Sequence, residues 1–384
     1  MEIVTNDSVT IPLAASEEVR IGVIEGGPAY QLHDVADVDV GQGGTIVAFN
    51  EGSLSLRLFD RRGRFLRELG REGEGPGEFR GGRTAQYSVG IWGDTIVVSE
   101  AQGSSVSLTV FDTAGALLHT ARRGQSVFFF RDETVVPAGP GVLRFTNSRM
   151  PATGWDVEGE AKGTELVVRE IDLASGEMGP ELARVPGRLV LSIGEGVPYP
   201  RWLPYFEPSP VAALVPGGIL TSGTADYEIR LLDPDGTPRR VVRRRHRPRP
   251  LEDDVSERLD AALADAGRTR TPMSERIRER IPQVSVLPPL DRLVATREGG
   301  FWVRRKDLTA DPVADMIRTG LAFDGIDPVP AVWDGFGRDG VYLGTVELPE
   351  GFEPHAWGRD WVAGVLMDEL QVEYVVKLAL RPAG

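Results

Sequence analysis

The chain is a succession of short apolar runs that alternate with polar residues, each bounded by Gly, Asp or Asn. That is the pattern of half-buried β-strands separated by tight turns. One unit recurs as Phe59-Asp60-Arg61-Arg62-Gly63 and Phe111-Asp112-Thr113-Ala114-Gly115, each followed by an apolar stretch. Looser copies are Ile171-Asp172 to Gly176, Leu232-Asp233 to Gly236, and Phe336 to Gly340. Each copy predicts a strand, a turn and a returning strand, because Asp bonds its own turn backbone and Gly accepts positive φ. A second unit is a polar or Gly turn followed by an apolar strand. It occurs at Gly43-Gly44, Gly93-Asp94, Arg131-Asp132, Gly217-Gly218, Gly299-Gly300 and Arg359-Asp360.

Six copies of a two-hairpin unit predict six four-stranded blades around one axis. The first unit has five copies, and little chain remains after Val372–Leu380. A strand from the N-terminal region, around Val19–Ile24 or Val9–Leu13, is expected to supply the missing edge and close the ring. Residues 1–384 therefore read as one all-β domain, a six-bladed β-propeller closed by its N- and C-terminal strands. One segment departs from the β pattern. From Leu251 to Pro282 the apolar positions Val255, Leu259, Ala262, Leu263 and Ala266, then Met273, Ile277 and Ile281, follow helical spacing. They predict a short α-helical insertion at about 250–283, between blades 4 and 5, with Thr271-Pro272 as an internal helix start.

The string Gly70-Arg71-Glu72-Gly73-Glu74-Gly75-Pro76-Gly77-Glu78-Phe79 follows the Phe59-Asp60 hairpin. Together they resemble bacterial six-bladed β-propeller proteins of the NHL-like type. Leu348-Pro349 with Gly351-Phe352, and Asp368 to Val375, are similar to the same group. The resemblance covers most of residues 20–380 and implies the fold. That group consists mostly of exported bacterial proteins without an assigned activity. The resemblance therefore implies a periplasmic or secreted protein and hands over no catalytic residue.

Composition narrows the chemistry. The net charge of −14 repels phosphate backbones, so nucleic acid is not an expected partner. Cys is absent, which removes disulfides, thiolate nucleophiles and Cys zinc sites. No apolar stretch approaches the length of a membrane span. Met1–Asn6 has neither a basic nor an apolar leader region, so either the leader of an exported protein has been removed or, as the alternative, the protein is cytoplasmic.

Several features invite function. Gly70–Gly77 is no phosphate loop, because neither a helix nor Lys-Ser/Thr follows and three Glu would repel phosphate; it reads as a connector between blades. The run Arg239, Arg240, Arg243, Arg244, Arg245, Arg247 and Arg249 reads as an edge strand guarded by charge, with an anionic partner as the alternative. The helical insertion is either a lid or docking arm, or a pair packed on the flank. Tyr199, Trp202 and Tyr205 form an aromatic connector that would line a ligand site or fill a gap between blades.

No HExxH, GxSxG or EF-hand pattern occurs; Asp37-Val38-Asp39-Val40-Gly41 lacks the downstream Glu. The expected site lies just past the inner strands at one channel mouth: Asn50, Glu51, Glu100, Asn147, Arg149, Asp226, Tyr227, Arg304 and Arg305. The leading expectation is a non-enzymatic recognition module for a protein, peptide or polar small molecule. The alternatives are a Ca²⁺-dependent hydrolase or lactonase-like enzyme, with Asn50, Glu51, Glu100 and Asn147 as metal ligands, and a structural or assembly protein.

Overall fold

The computed structural model describes all residues except 83–84, 103–104, 125–134, 140, 150–160, 193–200, 203–205, 266–283, 321–329 and 384. The chain opens with β1 (Glu2–Asn6) and β2 (Pro12–Ile21), which serve sheets formed much later. The first sheet is β3 (Val35–Val40), β4 (Ile46–Asn50), β5 (Ser55–Phe59) and β6 (Phe65–Leu69), paired in sequence order. The second is β7 (Gln86–Trp92), β8 (Thr95–Gln102), β9 (Ser105–Asp112) and β10 (Leu117–Gly124). The third is β11 (Val135–Gly139), β12 (Val142–Arg149), β13 (Ala161–Asp172), β14 (Met178–Ser192) and β15 (Arg201–Trp202). The fourth is β16 (Val211–Val215), β17 (Gly218–Ser222), β18 (Glu228–Leu232) and β19 (Pro238–Arg244), with β1 added in parallel outside β19.

Helix α1 (Val255–Asp265) separates this sheet from the next. There follow β20 (Arg292–Ala295), β21 (Phe301–Arg304), helix α2 (Pro312–Gly320), β22 (Val332–Phe336) and β23 (Tyr342–Glu347). The chain ends with β24 (Phe352–Trp357), β25 (Trp361–Met367) and β26 (Glu373–Pro382). The expected fifth and sixth blades are one eight-stranded sheet, in the order β20-β21-β22-β23-β2-β26-β25-β24. Two antiparallel runs of four meet in it, because β2 pairs antiparallel with β26 and also reaches β23 in parallel at Pro12↔Thr345 and Leu13↔Val346. The arrangement is all-β and propeller-like, with four separate sheets beside the joined one.

The turns form for the reason the repeat implies. Asp60 Oδ1 accepts the N–H groups of Arg62 at 2.8 Å and Arg64 at 3.0 Å, and Gly63 takes φ 77°. Asp112 repeats this with Ala116 N–H at 2.7 Å and Gly115 at φ 98°. Apolar clusters fill the spaces between consecutive four-stranded units. Phe49, Phe79 and Tyr87 pack between the first two sheets, with Phe49 stacked on Tyr87 at 4.1 Å. Val19, Ile21, Val38, Phe59 and Val375 join the last strands to the first sheet. Trp302, Trp333 and Trp357 fill the space between the two halves of the eight-stranded sheet.

One expectation changes and two others are met in the described residues. The Arg run is not an edge. β1 covers it, pairing Glu2 with Arg240 through Asn6 with Arg244, and Arg240 takes an ion pair with Glu2 at 2.6 Å. Arg244 is buried on Asp334 at 3.2 Å, so at least this charge serves the interior. The helical insertion is seen as α1, while its second half and Thr271-Pro272 lie outside the described residues. α1 buries Val255 and Leu259. It touches α2, an element with no counterpart among the expected ones, whose Val313 and Met316 are also buried. Arg258 on α1 pairs with Asp311 at 2.5 Å, tying the two helices together. The Gly70–Gly77 string joins the first sheet to the second, as a connector should, and Gly75 N–H donates to Glu78 Oε2 at 2.8 Å.

Candidate functional site

The first strand of each unit lies innermost: β3 touches both β7 and β24, and β16 touches β20. The strands that follow the Gly turns were expected to be innermost, and they are second strands instead. The physical reason is that each such turn, except the Arg131-Asp132 copy, which lies outside the described residues, is the hairpin between a unit's first and second strands. In the third sheet Gly141 at φ 68° makes the hairpin from β11 to β12. The expected site residues therefore sit past second strands, at the end of each unit where its first strand begins: Val35 pairs with Asn50.

The axis itself is lined by charges the expected set omitted. Asp37 and Asp39 alternate on β3, and their Oδ2 atoms accept the N–H groups of Val89 at 2.7 Å and Ile91 at 2.8 Å on β7. These carboxylates satisfy the inward edge of a neighbouring sheet, which otherwise has no strand to pair with. His355 on β24 places Nδ1 2.9 Å from Asp37 Oδ1. Arg297, in the turn after β20, bonds both the Asp39 carboxylate and the Ile91 carbonyl and lies 5.8 Å over the Trp92 ring. Burial raises the Asp39 carboxyl above its usual range even though Arg297 opposes this. The Arg297 contacts run from the fifth unit to the first and second, so they cross the axis at its hairpin-turn end. The one sequence signal for this set is Asp37-Val38-Asp39: two acids two residues apart in a strand point the same way.

At the other end, Asn50 is buried and already bonded, its Oδ1 accepting His33 N–H at 2.7 Å and its Nδ2 donating to Ser53 Oγ at 2.7 Å. Glu51 begins a short 3-10 turn closed by Leu54 in a left-handed conformation, φ 47°. Burial and then the nearby Asp34 charge push the Glu51 carboxyl up. Glu100 is buried and accepts from Arg80 N–H at 3.0 Å, Tyr87 hydroxyl at 3.3 Å and Ser107 hydroxyl at 3.1 Å. Burial, then the Glu100 charge, raises the Tyr87 hydroxyl far above its ordinary value. Asn147 and Arg149 lie on β12 opposite Val167 and Glu165; their side chains are outside the described residues. The same is true of Tyr199 and Tyr205, and of the side chain of Trp202, whose backbone pairs with Leu191.

Tyr227 and Arg305 do come together. The Tyr227 hydroxyl donates to Asp334 Oδ2 at 2.7 Å and Arg305 donates to the same oxygen at 2.9 Å, with the guanidinium 5.2 Å over the Tyr227 ring. Burial first, and Asp334 next, drive the Tyr227 hydroxyl well up. Burial works against the charge on Arg305, but its bonds to Asp307 and the charge of Asp334 raise its value above that of an ordinary arginine. This cluster bonds the fourth sheet to β22. Asp226, next to it, is exposed. Arg304 binds both oxygens of Asp291 and lies 3.4 Å from Asp315 on α2. Lys306, buried beside them and 3.7 Å from Asp291, has its amine pushed down to about 8, first by burial. Among the described residues, no three His, Asp or Glu side chains converge as metal ligands do. No described helix is long and apolar enough to cross a membrane.

No protein-family model and no curated protein matches the chain's sequence. Solved structures do resemble it. One is a Bacteroides fragilis protein assigned as exported, with TM-score 0.50 and 12% identity over 100% of both chains. Another is a member of the DUF4221 family from Bacteroides vulgatus, with TM-score 0.45 and 8% identity over 98% of this chain and 100% of that one. A third is the calcium-binding protein regucalcin from Agrobacterium tumefaciens, with TM-score 0.38 and 11% identity over 100% of this chain and 97% of the other. The first of these shares with the chain a β-propeller-like fold.

Proposed function

We propose that the chain is a six-bladed β-propeller that recognises a polar ligand, peptide or protein at one mouth of its central channel. The blade count counts the eight-stranded sheet as two blades joined at their outer edges by β2 and β23. The observation that carries the reading is polarity of the two ends. Arg297 bonds across the axis at the hairpin-turn end, and the opposite end carries Glu51, under burial and like-charge pressure from Asp34, and the partly exposed Arg304. Most charged groups of that rim are committed to fixed partners, which suits shape recognition more than turnover.

Binding of the intact chain to an array of defined peptides and sugar acids tests this, with Glu51→Ala as the reporter. A ligand that loses affinity in Glu51→Ala supports the reading; ligands indifferent to it remove the rim from the site. The Ca²⁺-dependent alternative has its own arm in calorimetric titration with calcium alone. Stoichiometric uptake abolished by Glu51→Ala would move the reading to a metal-dependent hydrolase. Export belongs to the same proposal and is read by fractionating cells that make the protein.

A further inference from the structure

β1 covers the Arg-bearing edge of β19 and becomes an edge itself. It is the last strand of the fourth sheet, and its ladder runs only to β19. The Asn6 carbonyl accepts the Arg245 N–H at 3.0 Å, so the backbone groups of Asn6 face β19. Backbone direction alternates along a strand, so those of Val4 and Glu2 face β19 too, and those of Ile3 and Thr5 face away. Among the described residues, neither Ile3 nor Thr5 has a backbone partner on that side. Outer strands are ordinarily guarded against pairing with another chain by charge and by bulges. β6 carries Arg67 and Glu68 and meets β5 with a register shift at Leu58/Phe59, and β10 meets β9 with a shift at Leu117/His119. β1 runs in unbroken register, and its one charge, Glu2, is neutralised by Arg240 at 2.6 Å. Exposed apolar side chains lie on and beside it. Ile3 is on the strand, Val341 lies between Gly340 and Tyr342, which Asn6 bonds, and Val9 follows, its carbonyl accepting from Arg244 at 3.4 Å.

We propose that β1 is a self-association edge, on which a second copy of the chain lays its own β1 antiparallel across a two-fold axis. Glu2-Ile3-Val4-Thr5-Asn6 is self-complementary in the register centred on Val4. Ile3 then faces the second copy's Thr5, and Thr5 its Ile3, so the outward N–H and C=O groups are exchanged in both pairs. The β-branched side chains meet one another, Glu2 meets Asn6, and no like charges are opposed. Centring on Ile3 or on Thr5 instead pairs only one of these two residues with a strand residue of the other copy. This self-complementarity selects a second copy over a foreign strand. The surface lies outside β19, and the proposal does not depend on the channel reading.

Sedimentation of the intact chain from about 1 µM to about 500 µM tests it, at about 0.5 M NaCl so that the repulsion between two copies of net charge −14 is screened. The expected result is a monomer–dimer equilibrium with a midpoint of about 10–100 µM, the strength of a short strand pair. Thr5→Pro removes an outward N–H and leaves the β19 ladder its donors, so it should raise the dissociation constant at least about tenfold, while Thr5→Val should leave it within about twofold. A single monomer mass throughout that range, or dimers indifferent to Thr5→Pro, overturns the proposal. Because the chain lacks Cys, Val4→Cys keeps it falsifiable should Thr5→Pro not fold. The two-fold brings the two Val4 Cα atoms to about 4.5 Å, within disulfide reach. Oxidation should cross-link Val4→Cys into a covalent dimer and leave Ser8→Cys, at an exposed residue past the strand, monomeric. Equal cross-linking of the two variants, or none in either, overturns it. A monomer that instead binds an unrelated alternating peptide, and loses it in Thr5→Pro, overturns it in favour of a foreign strand.

Discussion

At Asp60 a single side chain replaces backbone pairing that the turn cannot make. The Arg64 N–H, chief among its donors, holds the carboxyl at about 2, against an ordinary 3.8. Asp172, Asp235 and Asp368 are lowered in the same way by turn N–H groups. A carboxyl depressed in the folded state lends stability that is complete above its ordinary value and is lost as pH falls through the folded one. The thermal midpoint of the protein should therefore drop between about pH 4 and about pH 2, and Asp60→Ala should show a shallower drop from a lower starting point. Melting curves across that range decide it; an unchanged slope in the variant would contradict the assignment. These turns were legible because donor and acceptor lie within four residues. The Asp37–His355 and Asp39–Arg297 contacts were not, because their partners are 318 and 258 residues apart and nothing local marks them.

At the scale of elements, the two N-terminal strands do different work. β2 fits the expectation of a closing strand, since Val19 to Ile21 pair with Val375 to Lys377 of β26. β1 carries no repeat motif and is too short to announce itself. Beyond its ladder to β19 it is held by Asn6, whose Nδ2 donates to the carbonyls of Arg243 at 3.2 Å and Gly340 at 3.0 Å and whose Oδ1 accepts Tyr342 N–H at 2.9 Å. Asn6 thus rivets β19 to the β22–β23 hairpin. Asn6→Ala should cost about 2 kcal/mol in denaturant unfolding, with the folded spectrum retained. Loss of β2 should instead prevent folding, since the last unit is left with three strands and an open edge. Helix α2 was hidden for a subtler reason. Its start is Asp311-Pro312, a cap with Pro at the first helical position, in which Asp311 Oδ1 accepts Val313 N–H at 2.9 Å and Ala314 N–H at 3.1 Å. The same signal was read at Thr271-Pro272; at Asp311 it lacked a long apolar stripe to draw attention to it.

For the whole molecule, the cross-axis pair of Arg297 and Asp39 is the most exacting test of the architecture. Both side chains are largely removed from water, at 15% and 14% exposure. Arg297→Ala leaves a buried carboxylate without its cation and should destabilise the fold by about 3 kcal/mol, whereas adding Asp39→Asn should restore much of that loss. A double variant no better than the single one would show that Arg297 acts through packing on Trp92 instead. The repeat made the succession of hairpins readable, because each Asp-x-x-Gly turn is local. It misplaced the inner strands because the innermost strand of each unit precedes the motif and shares no residue pattern with its counterparts.

The late partner of β2 sets the order in which the protein can be completed as it leaves the ribosome. The last unit must wait for residues 373–382, while the strand that finishes it is made more than 350 residues earlier. β19 ends at residue 244, well before that, and offers β1 a berth. Once β1 docks there, the chain is tethered only five residues from the waiting β2, on the side of the growing ring where its final partners will emerge.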